Sequence, residues 1–274
     1  MMNREFASQQ QNSRQADAAL GVLCWQEAGC PRGLQQLEML VGNSTNADSY
    51  NCPVLFRRVP GANMQSVVLK PDPRIVQAMI GVAQELIDCG ATAITTSCGF
   101  NAIFQQELAA ALNVPVFTSS LLQIPFIRSI LGADKGIAVI TASGSSLTSR
   151  HFESVGVHSM QGLEVIGLED NEQWNKIIFS PEEEIDIDLF RRDLVRLACR
   201  VAEPGRIGAF LLECTDLPPF ANEIRQATGL PVFDFISMSN HAFQATSWSA
   251  PVVAMRDGSV SPRATTNDPA ACRT

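Results

Sequence analysis

Short runs of apolar and β-branched residues alternate with windows of helical periodicity along most of the chain. This alternation is typical of α/β proteins with parallel sheets, because each pair of parallel strands needs a crossover between them. Phe104, Leu108 and Leu112 recur at helical spacing and predict an amphipathic helix over residues 101–112. Six strands are predicted, over residues 20–24, 91–95, 115–118, 136–140, 207–212 and 231–235.

The same pattern occurs twice, with a separation of 116 residues. Placing Cys98 on Cys214 aligns a strand, a helix and a second strand without a gap. The identical pairs are Ala93/Ala209, Phe104/Phe220, Glu107/Glu223, Pro115/Pro231, Val116/Val232 and Phe117/Phe233. General α/β sequence patterns can produce such identities, but a cysteine follows the first strand in both halves. We therefore predict two related α/β halves.

The composition and charge exclude several classes of protein. Of 274 residues, 46% are hydrophobic and 18% are charged, which is ordinary for a globular protein. The net charge of -8, without a run of lysine or arginine, predicts no nucleic-acid partner. The first 16 residues lack the apolar core of a signal peptide, and no apolar stretch reaches membrane-spanning length. We expect a cytoplasmic protein with no membrane association.

The eight cysteines form no CxxC pair of the kind found in zinc ribbons and dithiol redox sites. The three histidines share no metal-ligand spacing with each other or with nearby acidic residues. None of the three lysines lies where a strand gives way to a helix, as a buried Schiff-base lysine would. We therefore expect free thiols, no metal, no pyridoxal phosphate and no other cofactor.

Cys98 and Cys214 differ from the other cysteines because each lies between the end of a strand and the start of a helix. The carboxyl ends of parallel strands are where ligands bind in open α/β sheets. Backbone N–H groups at the start of each helix are expected to face the sulfur and lower its pKa. Asp216 is the candidate N-cap of the second helix, ahead of Pro218 and Pro219.

Two segments resemble the catalytic-cysteine motifs of the aspartate/glutamate racemase superfamily: Thr-Thr-Ser-Cys-Gly-Phe-Asn at residues 95–101 and Leu-Glu-Cys-Thr-Asp at residues 212–216. The resemblance extends over residues 20–241. It implies two Rossmann-like domains that face each other, an active site in the cleft between them, and no cofactor. It also implies that Cys98 and Cys214 are the two acid/base thiols and that Thr215 contacts the substrate.

The resemblance predicts a racemase or epimerase that inverts a carbon next to a carboxyl or carbonyl group. One thiol removes a proton and the other returns it on the opposite face. The amino-acid racemases usually continue the first motif with Asn-Thr, whereas Gly99 and Phe100 follow here, as in the hydantoin-racemase-like branch. The expected substrate is therefore a small carboxylate or a hydantoin-like derivative. The family likeness further implies a homo-oligomer.

Further candidates come from the loops beside the strand ends. Gly99, Asn101 and Asp216 follow the cysteines and are candidate substrate-binding residues. The loop at residues 141–146 offers N–H groups and the hydroxyls of Ser143 and Ser145 to a carboxylate, although a plain capping turn is an equal alternative. In the loop at residues 25–33, Gln26 or Glu27 can reach the cleft. Arg57 and Arg58 are weaker candidates for pairing with a substrate carboxylate.

The predicted domains are residues 17–125 with 242–258, and residues 126–241. Residues 1–16 and 259–274 are polar segments without an apolar face, and disorder is predicted for both. Two alternatives to racemisation remain at this point. One is decarboxylation or cis-trans isomerisation in the same cleft, and the other is metabolite binding without turnover.

Overall fold

The structure, a computed structural model, describes residues 18–26 and 30–246. Its strands are β1 (Ala19–Trp25), β2 (Val54–Val59), β3 (Ala91–Thr96), β4 (Val116–Phe117), β5 (Gly136–Thr141), β6 (Leu163–Gly167), β7 (Ile207–Leu212) and β8 (Val232–Phe233). Within the described residues they form two parallel sheets of four strands, in the orders β2-β1-β3-β4 and β6-β5-β7-β8. The predicted α/β class is confirmed.

Helices flank both sheets. The α-helices are α1 (Arg32–Glu38), α2 (Ile75–Asp88), α3 (Gln105–Ala111), α4 (Ile124–Ile130), α5 (Ser149–Ser154), α6 (Glu172–Phe179), α7 (Ile187–Ala202), α8 (Ala221–Thr228) and α9 (Phe235–Thr246). A π-helix covers Gln65–Leu69, and 3-10 helices cover Ala47–Ser49, Gly99–Phe104, Ser120–Gln123 and Pro218–Phe220. The helix predicted over residues 101–112 is therefore a 3-10 segment that continues as α3.

The two sheets repeat each other with the spacing seen in the sequence. In the first sheet Ile94 pairs with Val116, and in the second Phe210 pairs with Val232. Each residue of the second pair lies 116 positions after its equivalent in the first pair. The two sheets have the same strand order. This confirms two related halves, each with a cysteine beyond its third strand.

All six predicted strands are present, but β2 and β6 were missed. Both are outer strands of their sheets. The strand β2 carries the exposed Arg57 and Arg58, and every residue of β6 is partly exposed. Exposed and partly exposed residues give these two strands a weaker apolar pattern than the central strands have, which explains the omission.

The domain boundaries stay a prediction. Helix α9 begins at Phe235 and packs Phe235 and Met238 against Leu20 and Val22 of the first sheet. The segments predicted to be disordered, residues 1–16 and 259–274, lie outside the described residues.

One helix of each half packs against the other half. Leu37 of α1 packs with Trp174 and Ile177 of the second half. The Gln36 side chain accepts a hydrogen bond from the Ile185 N–H at 2.7 Å and donates one to the Ile185 carbonyl oxygen at 3.3 Å. In the opposite direction, α5 packs against the 3-10 segment after Cys98. These crossings join the two halves.

Within residues 18–26 and 30–246, no helix combines the length and the apolar character that crossing a lipid bilayer requires.

Phe190→Ala tests the core of the second half. The Phe190 ring is fully buried, stacks on Trp174 at a centroid distance of 6.0 Å and meets Phe220 edge-on at 5.3 Å. The substitution should lower the free energy of unfolding by about 3–5 kcal/mol, measured by urea denaturation. Phe179→Ala, at a ring that is 77% exposed, should change it by less than about 0.5 kcal/mol. Equal effects would contradict the assigned core.

Candidate active site

A cavity of about 1070 Å³ lies at the carboxyl ends of the strands, and both Cys98 and Cys214 line it. Cys98 follows β3 after one intervening residue, and Cys214 follows β7 in the same way. The prediction that both thiols face one cleft therefore agrees with the geometry. Other lining residues include Cys24, Trp25, Glu38, Phe56, Arg57, Arg58, Gly99, Phe100, Ser143, Glu169, Trp174, Asn175, Phe179, Thr215 and Asp216.

Backbone N–H groups point at both sulfurs, as the strand-to-helix position predicts. The N–H groups of Phe100 and Asn101 donate towards Cys98, and the N–H of Asp216 donates towards Cys214. The pKa of each thiol is nevertheless raised, chiefly because burial disfavours the charged thiolate. The nearby Glu213 and Asp216 carboxylates raise both pKa values further. The predicted lowering of the thiol pKa is wrong.

Asp216 is bound to the Cys214 thiol. The Cys214 Sγ donates to Asp216 Oδ2 at 3.7 Å, and Asn43 Nδ2 donates to Oδ1 at 2.8 Å. Burial raises the pKa of Asp216 to about 6, and the Asn43 hydrogen bond opposes part of that rise. Asp216 is not the predicted N-cap, since Leu217 occupies the N-cap position of the Pro218–Phe220 turn. Its carboxylate instead takes part in the site.

Asn43 is a site residue that sequence reasoning missed. Its side chain is fully buried, and its Oδ1 accepts hydrogen bonds from the Thr45 N–H and hydroxyl, both at 2.9 Å. These two donors fix the amide so that Nδ2 faces Asp216. The two residues are 173 positions apart, and no local pattern in the sequence connects them.

Glu213 is a second residue that sequence reasoning missed. It is fully buried, its Oε2 accepts the Thr141 hydroxyl proton at 2.6 Å, and its Oε1 has no partner among the described residues. Burial raises the pKa of Glu213 to about 7, against the hydrogen bond from Thr141. A carboxyl group that changes its charge near neutral pH therefore lies close to both cysteines.

Gly99 permits this close approach. A Cβ atom at residue 99 would lie 2.2 Å from Glu213 Oε1 and 2.3 Å from the Glu213 carbonyl oxygen. The hydroxyl of Thr215 also donates to the Ser97 carbonyl oxygen at 2.7 Å. The residues beside each cysteine thus contact those beside the other.

The structure brings together only part of the predicted substrate-binding set. Gly99, Ser143, Thr215 and Asp216 line the cavity, whereas Gln26, Asn101 and Ser145 are not among its lining residues. Asn101 is buried, and Gln26 is exposed. Glu27 lies outside the described residues. In the described part of the chain, no group of three or more metal-ligating side chains is arranged to hold an ion.

Ser143 and Ser145 bond to an acidic side chain of the chain itself. The Ser145 N–H, the Ser143 hydroxyl and the Ser145 hydroxyl lie 3.0, 3.1 and 3.2 Å from Glu169 Oε1. The loop predicted to hold a substrate carboxylate therefore holds the carboxylate of Glu169. We name residues 143–146 the serine loop.

Comparison with curated proteins finds relatives of one kind. The chain is 35% identical over 207 residues to dimethylsulfoniopropionate lyase from Durusdinium sp. clade D, which covers 72% of this chain and 67% of that protein. It is 32% identical over 246 residues to dimethylsulfoniopropionate lyase 7 from Emiliania huxleyi, covering 82% of this chain and 68% of that protein. The match to dimethylsulfoniopropionate lyase 6, also from Emiliania huxleyi, covers 54% of that protein. No family profile matches the chain.

Comparison with solved structures identifies the fold. An aspartate racemase homologue from Pyrococcus horikoshii matches with a TM-score of 0.53 and 15% identity, over 84% of this chain and 98% of its own. Unliganded arylmalonate decarboxylase matches with a TM-score of 0.53 and 16% identity, over 85% of this chain and 94% of its own. The fold is that of the aspartate/glutamate racemase superfamily, as the two cysteine motifs indicated.

Gly99→Ala tests the packing between the two cysteine loops. The added methyl group would collide with Glu213, so we expect the free energy of unfolding to fall by about 1–3 kcal/mol in urea denaturation. Gly81→Ala is the matched control, because nothing lies within 4 Å of a Cβ at that position in α2. The control should be neutral or stabilising by up to about 1 kcal/mol. A Gly99→Ala variant as stable as the parent would refute this close packing.

Proposed function

Because the chain belongs to the family of the dimethylsulfoniopropionate lyases, we propose that it cleaves dimethylsulfoniopropionate to dimethyl sulfide and acrylate. The proposal rests on the observation that Cys98, Cys214 and Asp216 line one cavity, with the buried Glu213 close to both thiols. It is further supported by curated relatives that carry this activity in their names.

The expectation of a racemase or epimerase, and with it that of a hydantoin substrate, is wrong. The curated relatives at 27–35% identity are lyases. The two reactions share their first step, since racemisation and elimination both remove a proton from the carbon next to a carboxylate. The outcome then depends on the neighbouring carbon. A sulfonium group there can leave as a neutral sulfide, so the electron pair forms a double bond instead of recapturing a proton.

We assign the base to Cys214. Its thiol proton passes to Asp216, and the resulting thiolate removes the proton from the substrate carbon next to the carboxylate. The C–H electron pair forms the C=C bond of acrylate, and the C–S bond breaks with its pair on dimethyl sulfide. After this step the Cys214 sulfur carries the proton taken from the substrate, and Asp216 carries the proton that came from the Cys214 thiol. One proton must then leave to solvent before the next turnover.

Cys98 lines the same cavity and is close to the Glu213 carboxyl group. We propose that it remains a thiol: burial raises the pKa of both cysteines, but Cys214 has the hydrogen bond to Asp216 through which its proton can leave. The substrate carboxylate is placed at the N–H groups of Gly99 and Thr215, which line the cavity next to the two sulfurs. The charge that develops during proton removal would then meet oriented donors.

Aromatic side chains supply a surface for the sulfonium group. Trp25, Phe56, Trp174 and Phe179 line the same cavity as the thiols. A sulfonium cation is attracted to the face of an aromatic ring in the same way as a quaternary ammonium group. This feature favours an onium carboxylate over a simple acid of the same size.

The first test is incubation with dimethylsulfoniopropionate, with dimethyl sulfide measured in the headspace and acrylate by NMR. Cys214→Ala should lower kcat by at least about 100-fold, because the general base is lost. Cys98→Ala is also expected to reduce the rate, since a thiol next to the substrate is removed. Cys89→Ala, at an exposed cysteine outside the cavity, serves as the control and should keep the parent rate. Absence of dimethyl sulfide with the parent chain would end the proposal.

The pH dependence of kcat/KM tests the role of Asp216. The carboxylate must be ionised to accept the Cys214 proton, so kcat/KM should rise as the pH increases through about 6, where Asp216 titrates. Asn43→Ala removes a hydrogen bond that favours the ionised form, so this rise should move to higher pH. Asp216→Asn should abolish the rise and reduce the rate.

Asp48→Asn is the control for this series, because Asp48 is exposed and lies outside the cavity. A pH rise that persists in Asp216→Asn would exclude Asp216 as its source. It would point instead to Glu213, whose pKa lies at about 7.

A further inference from the structure

Glu169 fills the place that an anionic ligand would take on the serine loop. Its Oε1 receives the Ser145 N–H and the hydroxyls of Ser143 and Ser145, all within 3.2 Å. Burial alone would raise the pKa of Glu169, but these hydrogen bonds lower it overall. The side chain is therefore a carboxylate at neutral pH, held by donors suited to a carboxylate.

Two glycines make room for this contact. A Cβ atom at Gly167 would lie 1.6 Å from Glu169 Oε2 and 2.4 Å from the Gly144 nitrogen. The backbone is held as well, because Asn175 Nδ2 donates to the Glu169 carbonyl oxygen at 2.8 Å. The fit between Glu169 and the serine loop thus depends on close backbone approach and on three side chains.

Glu169 also lines the cavity that contains the two thiols. On the same side, Ser143 and Asn175 line the wall, and the β6 end contributes no arginine or lysine to it. The arginines that line the cavity, Arg57 and Arg58, lie on β2 of the other sheet. The acidic Glu169 and Asp216 therefore line the cavity from the second half, and the first half contributes Arg57 and Arg58 together with Glu38.

We infer that Glu169 is a specificity-determining residue that excludes a second carboxylate from the site and favours a ligand with a cationic end. The inference rests on the proposed function for the identity of that cation, a sulfonium. A dicarboxylate would have to displace Glu169 from its donors or place its second carboxylate beside a like charge. An onium carboxylate leaves the serine loop undisturbed and gains the attraction of the Glu169 charge.

Three unreactive ligands separate charge from shape. The compound 3-(trimethylammonio)propanoate carries a cation, 4-methylpentanoate has the dimethyl branch without charge, and succinate carries a second carboxylate. We expect the parent chain to bind the cationic ligand most tightly and succinate least, as measured by titration calorimetry. Because no turnover is involved, the result does not depend on whether the chain is a lyase.

Two variants and a control complete the test. Glu169→Gln keeps an oxygen for the serine loop but removes the charge, so the preference for the cationic over the neutral ligand should fall about fivefold, as expected for a solvent-accessible charge. Glu169→Ala frees the donors of the serine loop and should allow succinate to bind. Glu172→Gln, at an exposed residue on α6 outside the cavity, should match the parent.

An unchanged ligand preference in Glu169→Gln, or a parent chain that binds succinate as well as the cation or binds none of the three, would overturn the inference. A parent chain that prefers the cation but releases no dimethyl sulfide would overturn the proposed function alone. Circular dichroism of both Glu169 variants checks that the fold is kept, so that a lost preference is not mistaken for unfolding.

Discussion

The Thr215 hydroxyl donates to the Ser97 carbonyl oxygen at 2.7 Å, and this bond joins the two loops that carry Cys98 and Cys214. The sheets themselves are separate, since each completes its strand pairing within four strands. The position of one thiol relative to the other therefore depends on contacts between loops. Gly99 contributes by letting Glu213 approach the first loop more closely than any side chain would allow.

The electrostatics of the site follow from that close packing. Burial and two carboxyl groups make both thiolates unfavourable, and helix-end N–H groups do not reverse this effect. A substrate that brings its own positive charge would offset the penalty on binding. The proposed sulfonium carboxylate has this property, whereas a dicarboxylate would add to the penalty. The negative charge of Glu169 on the wall of the cavity also favours a cationic ligand over a second carboxylate.

The exchange of helices joins the two halves, and α1 contributes Leu34 and Glu38 to the lining of the cavity. Helix α1 belongs to the first half in sequence but packs on α6 of the second half, while α5 packs on the segment after Cys98. The same crossing brings Asn43 to Asp216. A fold shared with racemases and a decarboxylase can thus place different polar residues around a common pair of strand ends, and chemistry is decided by those residues and by the leaving group.

The sequence by itself determined the α/β class, the duplicated unit, the racemase-type fold and the equivalent positions of Cys98 and Cys214 beyond two strand ends, because strand periodicity, a fixed spacing and short motifs can be seen in the chain alone. It did not determine β2 and β6, whose exposed and partly exposed residues weaken the apolar pattern. Nor did it determine Asn43, Glu213 or the pairing of Glu169 with the serine loop. Only the tertiary structure decided these features, since they depend on burial and on contacts between residues far apart in the chain, which a local pattern does not encode.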